Sequence, residues 1–160
     1  VLSNKIQSGV EANINKIIGR DVFDLIYGER TGIPRKPDPT ALNLLMEELG
    51  VSNNEVLYVG DTATDMLTAE AADCLSVGAL WGYRDEKELR ENNANFIIKT
   101  PMEIIEIVDK INKILRHGYF RALKNKSLVL YRLYLNLDCR RCMGVREIFV
   151  LTNSNIECLQ

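Results

Sequence analysis

Two carboxylates, Asp61 and Asp65, stand four residues apart just after an apolar run, Val56-Leu57-Tyr58-Val59, that ends in Gly60. Such a run of strand-forming residues reads as a buried strand, and glycine lets the chain turn sharply at its end. A helix opening near Thr62 would set both carboxylates on one face of its first turn. The partly positive helix terminus favours negative charge there. Carboxylates above the carboxyl end of a strand suit a hard divalent cation. Mg²⁺ takes one or two of them and fills its other positions with water and phosphate oxygens. A plain strand–turn–helix junction with an acidic cap fits the same residues, so this motif alone leaves both readings open.

Two further groups lie upstream. Ser3 follows Val1-Leu2, which reads as the end of a strand, and Asn4 comes next. A hydroxyl at a strand end, beside backbone N–H groups, suits a phosphate oxygen. Lys36 opens Lys36-Pro37-Asp38-Pro39. A point charge on a flexible stem suits neutralising a phosphoryl group. Asp38 reads as a helix N-cap, with Pro39 as the first helical residue. Each group also has an ordinary alternative: a strand-end hydroxyl for Ser3, a surface lysine for Lys36.

Taken in order, a hydroxyl after a strand, a lysine before a helix and Gly-Asp-x-x-x-Asp after a strand resemble motifs II, III and IV of the haloacid dehalogenase-like (HAD) superfamily of phosphatases. Trp81-Gly82-Tyr83-Arg84, after a later strand, resembles the phosphoglycolate phosphatase-like branch. The resemblance covers about residues 1–115. It implies an Mg²⁺-dependent hydrolase of a small phosphorylated metabolite. Ser3, Asn4 and Lys36 would then hold the substrate phosphate. Lys36 and Asp61 would be catalytic. Asp61 and Asp65 would serve the metal, Asp61 as its direct ligand and Asp65 orienting Asp61, Lys36 or a metal-bound water from behind. Trp81, Tyr83 and Arg84 would lie near the site, mainly in packing roles.

The family's nucleophile is an aspartate in Asp-x-Asp-Gly-Thr, at the end of a central strand, which attacks phosphorus to form an aspartyl-phosphate. No Asp-x-Asp occurs in these residues. The expectation is therefore an N-terminally truncated piece, lacking that motif and the substrate-choosing cap, and inactive alone. A pyrophosphatase, a sugar-phosphate mutase, a phosphonate hydrolase or an inactive phosphatase-like binding module are the alternatives.

The 160 residues suffice for one domain with a core. No apolar run approaches the roughly 18 residues that span a bilayer. Residues 1–115 carry 12 basic and 19 acidic side chains; residues 116–160 carry 8 and 3. The acidic body argues against nucleic acid as the main partner, and no membrane partner is expected. Cys74 falls in a predicted strand and reads as a small apolar residue. Cys139 and Cys142 lack the further ligands a zinc site needs. Free thiols fit a cytoplasmic protein.

The elements that must position these groups alternate. Helices are predicted over 9–18, from Pro39 to Gly50, over 63–72 and 85–91, and from the Thr100–Glu103 capping box onward. Strands are predicted at 24–27, 55–59, 74–77 and 96–98. This alternation argues an α/β fold, a Rossmann-like parallel sheet covered on both faces. The HAD-like core is expected to end near residue 115, with residues 116–160 a tail of unclear fold holding strands at 128–137 and 148–151. Without the nucleophile's strand, the strand at 56–59 loses a neighbour. Residues 128–137 are the best candidate for a borrowed replacement.

Overall fold

The computed structural model describes residues 1–19, 22–116 and 148–151. Strands β1 (Leu2–Ile6), β2 (Tyr27–Glu29), β3 (Val56–Gly60), β4 (Leu75–Ala79), β5 (Phe96–Ile98) and β6 (Ile148–Leu151) alternate in the main with helices. The helices are α1 (Gln7–Ile17), α2 (Thr40–Leu49), α3 (Ala63–Ala71), α4 (Glu86–Glu91) and α5 (Glu103–Arg116). Every strand pairing among the described residues is parallel. They form two sheets, a β1-β2 pair and a four-stranded sheet in the order β5-β4-β3-β6. The α/β expectation holds.

β3 is buried at all its positions, so its two faces must both be covered. Successive side chains of a strand point to opposite faces. Val56 and Tyr58 accordingly join Leu42, Leu45, Met46 and Ala69 of α2 and α3. Leu57 and Val59 join Ile98, Ile104 and Ile111 on the α5 side. Val10 and Ile14 of α1 pack with Val1 and Ile26 in a third cluster. Cys74 is buried with its Sγ 3.7 Å from Met46 Sδ, and burial pushes its thiol up to about 12. It is a core residue, as its place in the sequence suggested.

Helix boundaries follow local chemistry. α2 starts at Thr40 with Pro39 in the cap position, so Asp38 lies one residue before the cap expected of it. Its Oδ1 accepts the Thr40 N–H at 2.9 Å, and hydrogen bonds from the Thr40 side chain and main chain hold its carboxyl below the usual range. Gly50 ends α2 in the left-handed region at φ 66°, a conformation that favours glycine. Glu103 Oε1 accepts the Thr100 N–H at 2.8 Å and the Thr100 hydroxyl at 3.0 Å, the reach-back half of the predicted capping box, while the Glu103 N–H goes to the Thr100 carbonyl at 3.2 Å.

Strand boundaries moved more. β1 runs through Ser3 and Asn4 to Ile6 instead of ending at Leu2, and β2 starts at Tyr27, where 24–27 was expected. The cause is contact with the start of α1. Gln7 Oε1 accepts the Gly28 N–H at 2.6 Å, and Gln7 Nε2 donates to the Ile26 carbonyl at 2.9 Å. A Cβ at Gly28 would lie 2.5 Å from Gln7 Cα, so only glycine allows this approach.

β3's second neighbour is β6, in register from Val56–Ile148 to Val59–Leu151. Both edges of this buried strand are thereby paired, as its backbone groups require. The segment at 128–137, the best candidate for a borrowed strand, lies outside the described residues. The open edge of β3 is held by β6.

Candidate active site

The candidate residues lie within β1 (Ser3 and Asn4), in the loop before α2 (Lys36), and at the carboxyl end of β3 and the start of α3 (Asp61 and Asp65). Ser3 and Asn4 are thus not at a strand end as expected. Lys36 Nζ sits 2.7 Å from Asp65 Oδ1, with both side chains buried at 7% and 3% exposure. The Tyr58 hydroxyl donates to the same oxygen at 3.4 Å. Burial, reinforced by Asp65, pushes the Tyr58 phenol well above its ordinary range, so it remains a neutral donor. Asp65 Oδ2 accepts from Thr62 Oγ1 at 2.7 Å, Thr62 N at 3.2 Å and Asp61 N at 3.3 Å.

That pattern is a capping box: Thr62 is the N-cap of α3 and Asp65 its third residue. The Asp65 carboxylate reaches the Asp61 main chain for this reason. Asp61 lies outside the helix, before the cap, instead of on the helical face that the spacing suggested. Asp65 folds back over Gly60, where a Cβ would fall 2.1 Å from Asp65 Cβ. Asp61 is fully buried, and its Oδ2 accepts the Tyr83 N–H at 2.9 Å. Gly82 lies against Asp61 so closely that a Cβ there would be 2.2 Å from Asp61 Cβ.

Asn4 reaches the main chain of Lys36: Oδ1 accepts its N–H at 2.9 Å and Nδ2 donates to its carbonyl at 3.1 Å. Ser3 is buried, its Oγ accepting the Lys5 N–H at 3.1 Å. Ser3, Asn4 and Lys36 line one small cavity together with Gly28, Glu29 and Arg35. One hydrogen-bonded chain therefore runs Asn4–Lys36–Asp65–Asp61, with Ser3 beside its start.

The loop after β4 meets the site through its backbone. Trp81 packs into the core on the α5 side, Tyr83 is 72% exposed, and Arg84 pairs with Glu88 at 3.6 Å. Sequence reasoning missed Tyr58, the Tyr83 N–H and the close packing at Gly82. Only the apolar strand and the glycine themselves hinted at them.

For a metal, the donor set is divided. Asp61 is a buried carboxylate at a strand end, the type of ligand Mg²⁺ uses. Both Asp65 oxygens already accept hydrogen bonds, which suits orientation rather than ligation. Among the described residues no group of three or more His, Cys, Asp or Glu side chains forms a metal cage, and no helix is long and apolar enough to cross a membrane.

Residues 1–79 match the family model of the haloacid dehalogenase-like hydrolases. The phosphoglycolate phosphatase of Vibrio parahaemolyticus is 33% identical over 102 residues, covering 64% of this chain and 41% of that protein. The Neisseria meningitidis enzyme of the same name is 36% identical over 110 residues, covering 66% and 46%. A solved structure from Lactobacillus delbrueckii subsp. bulgaricus, provisionally named a phosphoglycolate phosphatase, superposes with a TM-score of 0.62 at 30% identity, covering 67% and 44%. The chain spans less than half the length of each of these relatives. Motif order, parallel fold and these relatives agree: the chain belongs to the haloacid dehalogenase-like hydrolase superfamily and resembles its phosphoglycolate phosphatase-like members.

Proposed function

We propose that this chain carries the phosphate- and metal-binding half of a phosphomonoester hydrolase that acts on a small metabolite of the phosphoglycolate type. The observation that carries the reading is the Lys36 ammonium, held 2.7 Å from Asp65 while Asp65 also accepts the Asp61 N–H. That network brings a buried cation and a buried carboxylate together at the carboxyl ends of parallel strands, where such folds bind ligands.

In this reading Lys36 and the Ser3 hydroxyl bind phosphoryl oxygens. Charge spreads over those oxygens during transfer, and preorganised donors stabilise it. Asp65 and Tyr58 hold the ammonium in place. Asp61 would hold Mg²⁺, which when bound supplies further positive charge beside the phosphoryl group. The attacking carboxylate, which forms the aspartyl-phosphate, comes from outside these residues, since they contain no Asp-x-Asp.

Calorimetric titration with inorganic phosphate in the presence of Mg²⁺ tests the reading on the chain itself. Binding is expected, weakened at least tenfold by Lys36→Ala and made Mg²⁺-independent by Asp61→Asn. Turnover of phosphoglycolate by this chain alone is not expected, because loss of a nucleophile removes many orders of magnitude in rate. Phosphate binding that ignores both substitutions would refute the proposal.

A further inference from the structure

The resemblance assigned Asn4 to the phosphate, yet its carboxamide is engaged elsewhere. Its oxygen accepts the Lys36 N–H at 2.9 Å and its nitrogen donates to the Lys36 carbonyl at 3.1 Å. Both bonds go to the main chain of one residue, thirty-two positions away in sequence. A side-chain amide thus does for Lys36 what a neighbouring strand does for a strand residue. The loop around Lys36 has few other ways to hold it. Pro34 and Pro37 flank the segment and bring no N–H of their own. The nearest backbone bond in this turn, Asp38 N–H to the Arg35 carbonyl at 3.1 Å, leaves the Lys36 groups to Asn4.

The other end of Lys36 is held as well, by Asp65 at the start of α3. Asn4 belongs to β1 in the two-stranded sheet, and Asp65 follows β3 in the four-stranded one. We propose that Asn4 is a positioning residue: it clamps the Lys36 backbone to β1, so that the ammonium, fixed from the other side by Asp65, is aimed at the site. Lys36 then ties the two sheets together at the place where the ligand is read. This rests on the reading of Lys36 as a phosphate-binding group. It departs from the role the resemblance implied by giving Asn4 no contact with phosphate.

The test reads Lys36 directly in the full 160-residue chain. Acetic anhydride labelling, resolved by peptide mass spectrometry, is scored as Lys36 relative to Lys87, whose side chain is 80% exposed. Phosphate affinity is measured in parallel. Wild-type Lys36 is expected to be protected. Asn4→Ala is expected to raise its relative labelling about tenfold, as loss of two hydrogen bonds implies, with phosphate binding weakened in step. Asn4→Asp keeps the shape and the bond from the Lys36 N–H but sets an oxygen against the Lys36 carbonyl, so its labelling should fall between the two. If circular dichroism shows Asn4→Ala unfolded, Asn4→Asp decides alone: labelling above wild type supports the clamp and wild-type labelling overturns it. Weakened phosphate binding with unchanged Lys36 labelling would overturn the proposal in favour of direct phosphate contact. Unchanged values in both measurements overturn it too. If wild type binds no phosphate, the functional reading fails, while the labelling result still decides the clamp.

Discussion

The two sheets of this molecule are built by different means. In the four-stranded sheet, β3 and β4 run in unbroken register from Leu57–Leu75 to Gly60–Gly78, and β6 continues the pattern on the other side. Regular backbone pairing sets the strands there, the alternating side chains fill the two cores, and the side-chain bonds between Ser76 and Asn95 add to the pairing at β4. The β1-β2 pair slips register between Leu2 and Ile6. Side chains fasten it instead: Gln7 grips Gly28 and Ile26, the Tyr27 hydroxyl donates to Glu48 at 2.6 Å, and the Arg30 guanidinium lies 3.6 Å over the Tyr27 ring. Regular pairing makes a platform for Asp61. Side-chain fastening leaves β1 placed by a few specific contacts, one of which holds Lys36.

Cutting the link between the two sheets should have the largest effect. Lys36→Met leaves Asp65 buried without its cation, and breaking one partner of a buried pair costs about 3–5 kcal/mol. Urea denaturation is expected to show a loss of that size; an unchanged midpoint would mean that Asp65 finds another cation.

Within the regular sheet, Val150→Pro removes a backbone donor from β6 opposite Tyr58. A stability loss of about 1–3 kcal/mol is expected for an unpaired buried group. Amide exchange should quicken at Leu57 to Val59 while Tyr27 and Gly28 keep their protection. Uniform loosening would show that the sheets do not act separately.

Gln7→Ala probes the other sheet. Removing its bonds to Gly28 and Ile26 should cost about 1–2 kcal/mol, with faster exchange at the Gly28 N–H and no change across β3 and β4. Equal loosening in β3 would sink the distinction drawn between the sheets.

The smallest effect belongs to Arg35→Ala. Its pair with Glu29 at 2.6 Å is 62% and 30% exposed, and exposed pairs contribute little. No measurable shift in the denaturation midpoint is expected, so a clear loss would show that this pair, too, fastens the β2 region.

Much was legible in the sequence because it is local. The alternation of elements, Gly50 as a helix stop, the Thr100–Glu103 box and the burial of Val56-Leu57-Tyr58-Val59 each depend on neighbours a few residues apart. Lys36, Asp61 and Asp65 could be singled out by residue type and order. Their arrangement was a tertiary matter. The Asp61–Asp65 approach came from a capping box that turns Asp65 back over Gly60, and Asp61 is held by an N–H twenty-two residues away. The pairing of β6 with β3 spans about ninety residues and is decided by which apolar segment reaches an open edge. Asn4 shows the division most plainly. Its amide suits several partners equally by chemistry, and only the packing of the Lys36 loop against β1 selects the backbone groups it bonds.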